Sequence, residues 1–418
     1  MVLYASPTGS IFADARCFYE NLLWHRVLGQ VIGPIWLATK LPDIPFQWPT
    51  ALWTLVYAFV TGFPLTIGYH RMWAHKSYRA HILLKIPLAV LGTGTVQQSI
   101  KWWVKKHRAH HRYLDTDHDP YNARKGLFYS HLGWLLVRQD TPDDGDGSVD
   151  ISDLERDAVV VWQDRYYVPL AICMSVVFPT LVAGIGWEDW SGGFFWASLF
   201  RVVFVRHCTY LVNSLAHWAG EQPFSKDNTS RDNWISSFLT MGEGYHNFHH
   251  TFPTDYRNGV RWYDFDPSKW VIWSFAQLGL ALDLNRISDC VIEKHRRQFL
   301  AEDGGTPTLE STDLSRPHPE IGWDDYVKMA TKHDRALIAI AGFVYDVSDF
   351  MDRHPGGEVL IQQAIGKDAT TMFHGGVVGH SRAANEILLT MRVYSIRSGG
   401  LVQPLWNGAT RDSDSKEK

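Results

Sequence analysis

Three short windows dense in histidine constrain this chain more than anything else in it: His70 and His75 in HRMWAH, His107, His110 and His111 in HRAHH, and His246, His249 and His250 in HNFHH. Helical spacings of three and four residues return side chains to one face, so each triplet can aim three imidazoles at one point. The five-residue step from His70 to His75 turns about 140° around an α-helix, and so predicts a helix end rather than a helix middle. A lone histidine is ordinarily a surface or core residue. Three clusters at these spacings instead predict a metal centre, because neutral imidazole is the commonest transition-metal ligand. Eight imidazoles are too many for one ion. Asn213 and His217 in NSLAH repeat the i, i+4 step, but spacing alone gives that pair no role.

Stretches before the first window and between the second and third are apolar enough to cross a bilayer. A first span is expected from about Asn21 to Lys40, with Arg26 snorkelling or paired, and a second from Ile44 to Tyr69, delivering His70 at its end. Ile86–Ile100 is shorter and contains glycine, which predicts an interfacial or re-entrant helix. Tyr166–Trp187 reads as a third span. About Gly193 to Leu211 reads as a fourth, whose Arg201, Arg206 and His207 must be covered by protein. Two crossings between His111 and His246 return the chain to one side, so all three clusters and His217 can meet on one face. Lys101, Lys105, Lys106, Arg108 and Arg112 make that face cytosolic.

Composition narrows the classes further. Four cysteines at 17, 173, 208 and 290, with no CxxC pair, suggest neither a disulfide framework nor a thiolate metal site. A net charge of -4 argues against nucleic acid as a partner. The 19 tryptophans suit a membrane interface. Slightly negative mean hydropathy requires that much of the chain lie outside lipid. Residues 1–20 show neither a basic start nor a small-residue cleavage site, so no cleavable leader is expected. The acidic tract at 139–147 reads as a solvated loop.

Zinc sites take three or four protein ligands, whereas at least eight are offered here. Soluble di-iron bundles use Glu-x-x-His pairs, which the clusters lack. An all-nitrogen site just outside lipid points to two irons activating oxygen for an apolar substrate that enters from the bilayer.

The strings GYHRMWAH, HRAHHRYLDTDHDPYNARKGLFYSHLGWLL, NSLAHW and GEGYHNFHHTFPTDYR, in that order over about residues 60–290, resemble the membrane acyl-CoA Δ9 desaturases, especially the fungal stearoyl-CoA type. The resemblance implies a di-iron centre held by His70, His75, His107, His110, His111, His217, His246, His249 and His250, with Asn213 acting through water. It also implies insertion of a cis double bond into stearoyl- or palmitoyl-CoA using O2 and two electrons. Trp103 resembles a residue lining a kinked acyl tunnel, and Arg138 a contact to the CoA head group; an interfacial anchor and a plain surface charge are the alternative readings. The chain has HRMWAH where that family usually has HRLWSH. Other lipid oxidases, such as hydroxylases, share histidine boxes and differ in product.

Towards the C-terminus, DVSDFMDRHPGGEVLIQQAIGKDATTMFHGGVVGHS resembles cytochrome b5, which implies haem b held by axial His354 and His380, with His374 as an alternative to His380. No GxGxxG fingerprint accompanies these segments, so electrons are expected from a separate NADH-cytochrome b5 reductase. The expected fold is therefore mainly α. It comprises a four-transmembrane-helix bundle with a cytosolic helical di-iron cap (1–300), a linker (301–319), a small α+β cytochrome b5-like domain (320–398) and a polar tail (399–418). The expected setting is the endoplasmic reticulum membrane, multi-pass, with active site and both termini cytosolic.

Overall fold

The structure, a computed structural model, describes residues 21–138, 149–303, 318–332, 335–354, 356–374, 380 and 382–397. The expectations for residues 1–20, the tract 139–147, most of the linker and the tail fall outside the described residues. The chain forms two compact units, divided after Pro307.

The larger unit is helical. Among the described residues, two helices are long and apolar enough to cross a membrane, Trp48–Ala74 and Tyr167–Trp187. The first begins where extended Gln47 gives way to Trp48 and Pro49, proline being suited to a helix start because its missing N–H has no partner there anyway. Its last part, Pro64–Ala74, is wound as a π-helix. Helices also run over 24–40 and 190–213, where the sequence places the first and fourth spans. The former is short, and the latter carries Arg201 and Arg206.

Protein covers those charges. Arg201 is fully buried: Nε donates to Ala197 O at 2.8 Å, Nη1 to Thr61 Oγ1 at 2.8 Å and Nη2 to Gly94 O at 3.0 Å, with Tyr57 beneath the guanidinium at 4.6 Å. Arg206 donates to Val96 O at 3.0 Å, and Arg26 to Leu135 O at 3.3 Å. The short apolar helix Ile82–Thr95 packs Leu84, Leu88 and Ala89 against Ile67, Tyr69 and Trp73, in a core that also takes Ile100, Val104 and Val160. Each such large side chain removed from water stabilises by about 1.5–3 kcal/mol. A two-stranded antiparallel ribbon, β1 (Arg79–Ala80) with β2 (Ala281–Leu282), ties the segment after His75 to the far end of the unit.

The smaller unit contains β3 (Glu320–Ile321), β4 (Leu337–Ile340), β5 (Phe343–Asp346) and β6 (Arg392–Ile396), ordered β3-β6-β5-β4. β3 runs parallel to β6, and the other pairs are antiparallel. Ala341 (φ 49°) and Gly342 (φ 80°) close the β4–β5 hairpin, the left-handed pair that a tight two-residue turn needs. Alternation along β4 sends Ile338 and Ile340 to one core with Ile361 and Leu388, and Leu337 and Ala339 to another with Tyr326 and Val344. The sheet is therefore covered on both faces.

Candidate functional site

All nine histidines that the resemblance singles out converge in the larger unit, in two groups. His70, His75, His107, His111 and His249 form one, and His110, His217, His246 and His250 the other; within each group the ligand atoms lie within 4.8 Å of one another. Ser99, whose Oγ accepts the Trp102 N–H at 3.3 Å, caps the helix Ile100–Tyr113, which carries His107, His110 and His111. His246, His249 and His250 ride on His246–Thr251, whose start is capped from a distance by Asp232: its Oδ1 accepts the N–H groups of Asn247 and Phe248 at 2.8 and 3.2 Å. Burial pushes the Asp232 carboxyl up to about 7 despite these two bonds.

His75 stands at a helix end, as its five-residue step from His70 predicts: it is the residue that caps the π-wound Pro64–Ala74. The wide winding that leads to it brings the two rings together, the His75 N–H reaching the His70 carbonyl at 3.1 Å, five residues back. An i→i+5 turn takes up one residue more than an α-turn, so side chains five apart come round to the same side.

The rings share one orientation rule. Nε2 points inward: His70 to His249 at 3.1 Å, His249 to His111 at 3.1 Å and His75 to His107 at 2.7 Å in the first group. In the second, His217 meets His246 at 3.0 Å, His246 meets His250 at 3.1 Å and His250 meets His110 at 3.4 Å. Nδ1 points outward to acceptors in several of them. His70 Nδ1 donates to Glu243 Oε2 at 2.8 Å and His110 Nδ1 to Asp119 Oδ1 at 2.9 Å. His217 Nδ1 donates to Thr229 Oγ1 at 2.9 Å, and that hydroxyl in turn donates to Asp115 at 2.6 Å.

A carboxylate only accepts, so the proton must sit on Nδ1 of His70 and His110, and their Nε2 lone pairs face inward. Lone pairs facing one another at hydrogen-bond distance repel unless a cation lies between them. The donor set therefore fits two metal ions, one per group. Seven of the nine histidines, His75, His107, His111, His217, His246, His249 and His250, have their pKa lowered well below the usual value, by burial first and by neighbouring imidazoles second. These rings are neutral, as metal ligation requires. Burial would raise Glu243, but the guanidinium of Arg71 and the ring of His70 hold it at about 2. Arg71 itself bridges Glu243 and Asp266, at 3.0 and 2.8 Å.

Sequence reasoning missed this outer ring of Glu243, Asp119, Thr229 and Asp115. The one signal available was position, since Glu243 lies three residues before His246 and Asp119 follows the second cluster in DTDHDP.

Asn213, at the end of the helix over 190–213, is half-buried and lines a cavity of about 210 Å³. Trp103, Thr209, Tyr210, Tyr121 and His107 line it too, with Arg26, Lys106 and Arg206 as its cations. Trp103 stacks on His107 at 4.9 Å, so the cavity wall abuts the first histidine group. Arg138 is exposed and is not part of that wall; its N–H pairs with Asn21 O at 2.8 Å.

In the smaller unit, the rings of His354 and His380 face one another at 6.0 Å with 29° between planes. His380 Nδ1 donates to Phe373 O at 3.0 Å, which puts the proton on Nδ1 and leaves the lone pair on Nε2. His374 ends the helix Thr370–His374, exposed, with its ring edge-on to Phe373.

Residues 46–281 match the family described as fatty acid desaturase, and residues 323–396 the cytochrome b5-like haem/steroid binding domain. The chain is 42% identical over 391 residues to the acyl-CoA desaturase 1 of Saccharomyces cerevisiae, covering 91% of this chain and 75% of that protein. It is 41% identical to the probable acyl-CoA desaturase of Schizosaccharomyces pombe, with 87% and 75% covered. To the stearoyl-CoA desaturase of Homo sapiens it is 39% identical, with 66% and 76% covered. Because the family match spans more than half of the chain and the yeast relative is matched along nearly all of it, the chain belongs to the fatty acid desaturase family of di-iron membrane oxidoreductases, and carries a haem-binding cytochrome b5-like domain in its C-terminal part.

Proposed function

We propose that this protein is an acyl-CoA Δ9 desaturase, inserting a cis double bond into stearoyl- or palmitoyl-CoA with O2 and with electrons passed through its own cytochrome b5 domain. The observation that carries this reading is the pair of buried imidazole groups, Nε2 inward and Nδ1 braced, abutting a cavity walled by Trp103. The ligands are His70, His75, His107, His111 and His249 for one iron, and His110, His217, His246 and His250 for the other, with Asn213 contributing through water.

Two irons bound there supply oxygen activation and the abstraction of hydrogen from an unactivated methylene pair. The rest is done by the chain's residues. The acyl chain gives up two hydrogens, and with two electrons and two protons O2 leaves as two waters. Glu243, Asp119 and Thr229 fix the tautomer and tilt of the rings that hold the metals. Trp103, stacked on His107, aligns the acyl chain past that ligand and excludes water. Lys106 and Arg206 supply positive charge in the cavity wall. Arg138, exposed three residues beyond Leu135 of that wall, meets the phosphates of the CoA head group.

The membrane arrangement supported by the even crossing count is four spans, with the helices over 24–40 and 190–213 completing the two apolar ones. It places the site and both termini on the cytosolic side of the endoplasmic reticulum. The domains then run 1–300 and 320–398, joined by 301–319, with 399–418 as tail. His354 and His380 hold haem b, reduced by an NADH-cytochrome b5 reductase.

Expression in cells lacking their own Δ9 desaturase tests this reading. Oleate and palmitoleate are expected with the intact chain and absent with His107→Ala. Hydroxylated products, or none, would overturn it.

A further inference from the structure

Six aromatic side chains outside the two apolar helices form one linked, exposed surface on the larger unit. Trp234 and Phe238 stand one turn apart on the helix Trp234–Leu239, 76% and 64% exposed, while Ser236 and Ser237 turn inward. Phe238 meets Phe265 at 5.5 Å between ring centroids, and Phe265 meets Trp270 edge-on at 6.1 Å. Trp270 Nε1 donates to the carbonyl of Trp262, whose own ring is 83% exposed. Trp273 continues the same face of the helix Pro267–Gln277 beyond Trp270. So much contiguous apolar area facing water is unfavourable and marks a contact surface.

Two observations identify what covers it. The helix that carries Trp270 and Trp273 is docked on a span: Ser268, buried at the start of Pro267–Gln277, bonds to Thr66 Oγ1 in Trp48–Ala74 at 2.8 Å and donates to Met241 O at 2.8 Å. The side chains are also those of a bilayer interface: tryptophans with a polar edge, accompanied by Arg261, whose guanidinium stands 5.8 Å over the exposed Tyr263 ring. A protein-binding patch would not need to adjoin a span.

We propose that this aromatic face lies in the headgroup layer of the bilayer beside Trp48–Ala74, seating the histidine-bearing unit flat on the lipid. The proposal rests on the reading of Trp48–Ala74 as a span, and the experiment separates the two. Benzoylphenylalanine is placed in the full-length chain, one position at a time, at Trp262, at Trp234 and, as reference, at Leu52, which is 63% exposed on the span. Each protein is irradiated in nanodiscs of phosphatidylcholine and phosphatidylserine, and its peptides are weighed. The expected result is a mass gain of one phospholipid at 262 and 234, as at 52. A lipid adduct at 52, with unmodified or protein-linked peptides at 262 and 234, overturns the proposal and leaves the span intact. No adduct at 52 removes the span and the proposal with it.

Discussion

Nδ1 of His70 stands 2.8 Å from Oε2 of Glu243, while the other oxygen of that carboxylate takes the Arg71 guanidinium at 3.0 Å. One buried acid thus orients a ligand ring and neutralises a cation. Glu243→Gln keeps the shape and removes the charge, and Arg71 retains Asp266. Iron retention and desaturation are expected to fall by about 10–100-fold, the usual cost of losing an outer partner of a ligand. Iron per protein, measured beside product yield, checks this; unchanged iron content would count against the bracing role.

Acid should unfold the metal-free protein early. Seven of the histidines are held neutral by burial, with folded values below the ordinary value of about 6.5. Below that value the unfolded chain binds more protons than the folded one, so stability falls with falling pH, by about 1.4 kcal/mol per pH unit for each excess proton. Melting of the iron-stripped protein between about pH 7.5 and about pH 5.5 should show a steep drop in Tm, and iron loading should flatten it. Equal slopes with and without iron would contradict the assignment.

Haem binding should separate three histidines of the smaller unit. His354→Ala and His380→Ala are expected to abolish the low-spin haem spectrum, while His374→Ala leaves it intact, because only the first two rings face one another. Absorbance of the reduced and oxidised protein reads this directly.

Two substitutions near the cavity should divide by kinetic constant. Trp103→Ala removes the ring that packs on His107 and should lower kcat, through misalignment of the acyl chain. Arg138→Glu places a repelling charge on an exposed position and should raise KM for acyl-CoA by about tenfold, roughly 1.4 kcal/mol, with kcat little changed. An unaltered KM would remove Arg138 from the substrate path.

Much of the centre was legible because helical spacing is a local property. His107, His110 and His111, or His246, His249 and His250, need only one α-turn each to share a face. The outer partners were not legible, since Glu243 and Asp119 are single acids whose role depends on which ring the fold brings to them. The charges in the helix over 190–213 show the same limit. Arg201 reads as an obstacle to a span, and only the packing supplies the carbonyls of Gly94 and Ala197 and the ring of Tyr57 that absorb it. In the smaller unit, the doubly buried β4 is a continuous apolar run, LIAI, whose two-sided burial a strand pattern alone does not distinguish from a short helix.

The wide winding of Pro64–Ala74 also says what that segment can tolerate. Its phase depends on how many residues lie between two ligands rather than on their chemistry. Exchanging Met72 for another apolar side chain should be a minor injury. Excising a single residue between His70 and His75 would leave a four-residue step, which shares one face only if the ladder narrows to ordinary α pitch, so the segment would have to rewind to keep both ligands in place. The ruler in this part of the protein is chain length itself.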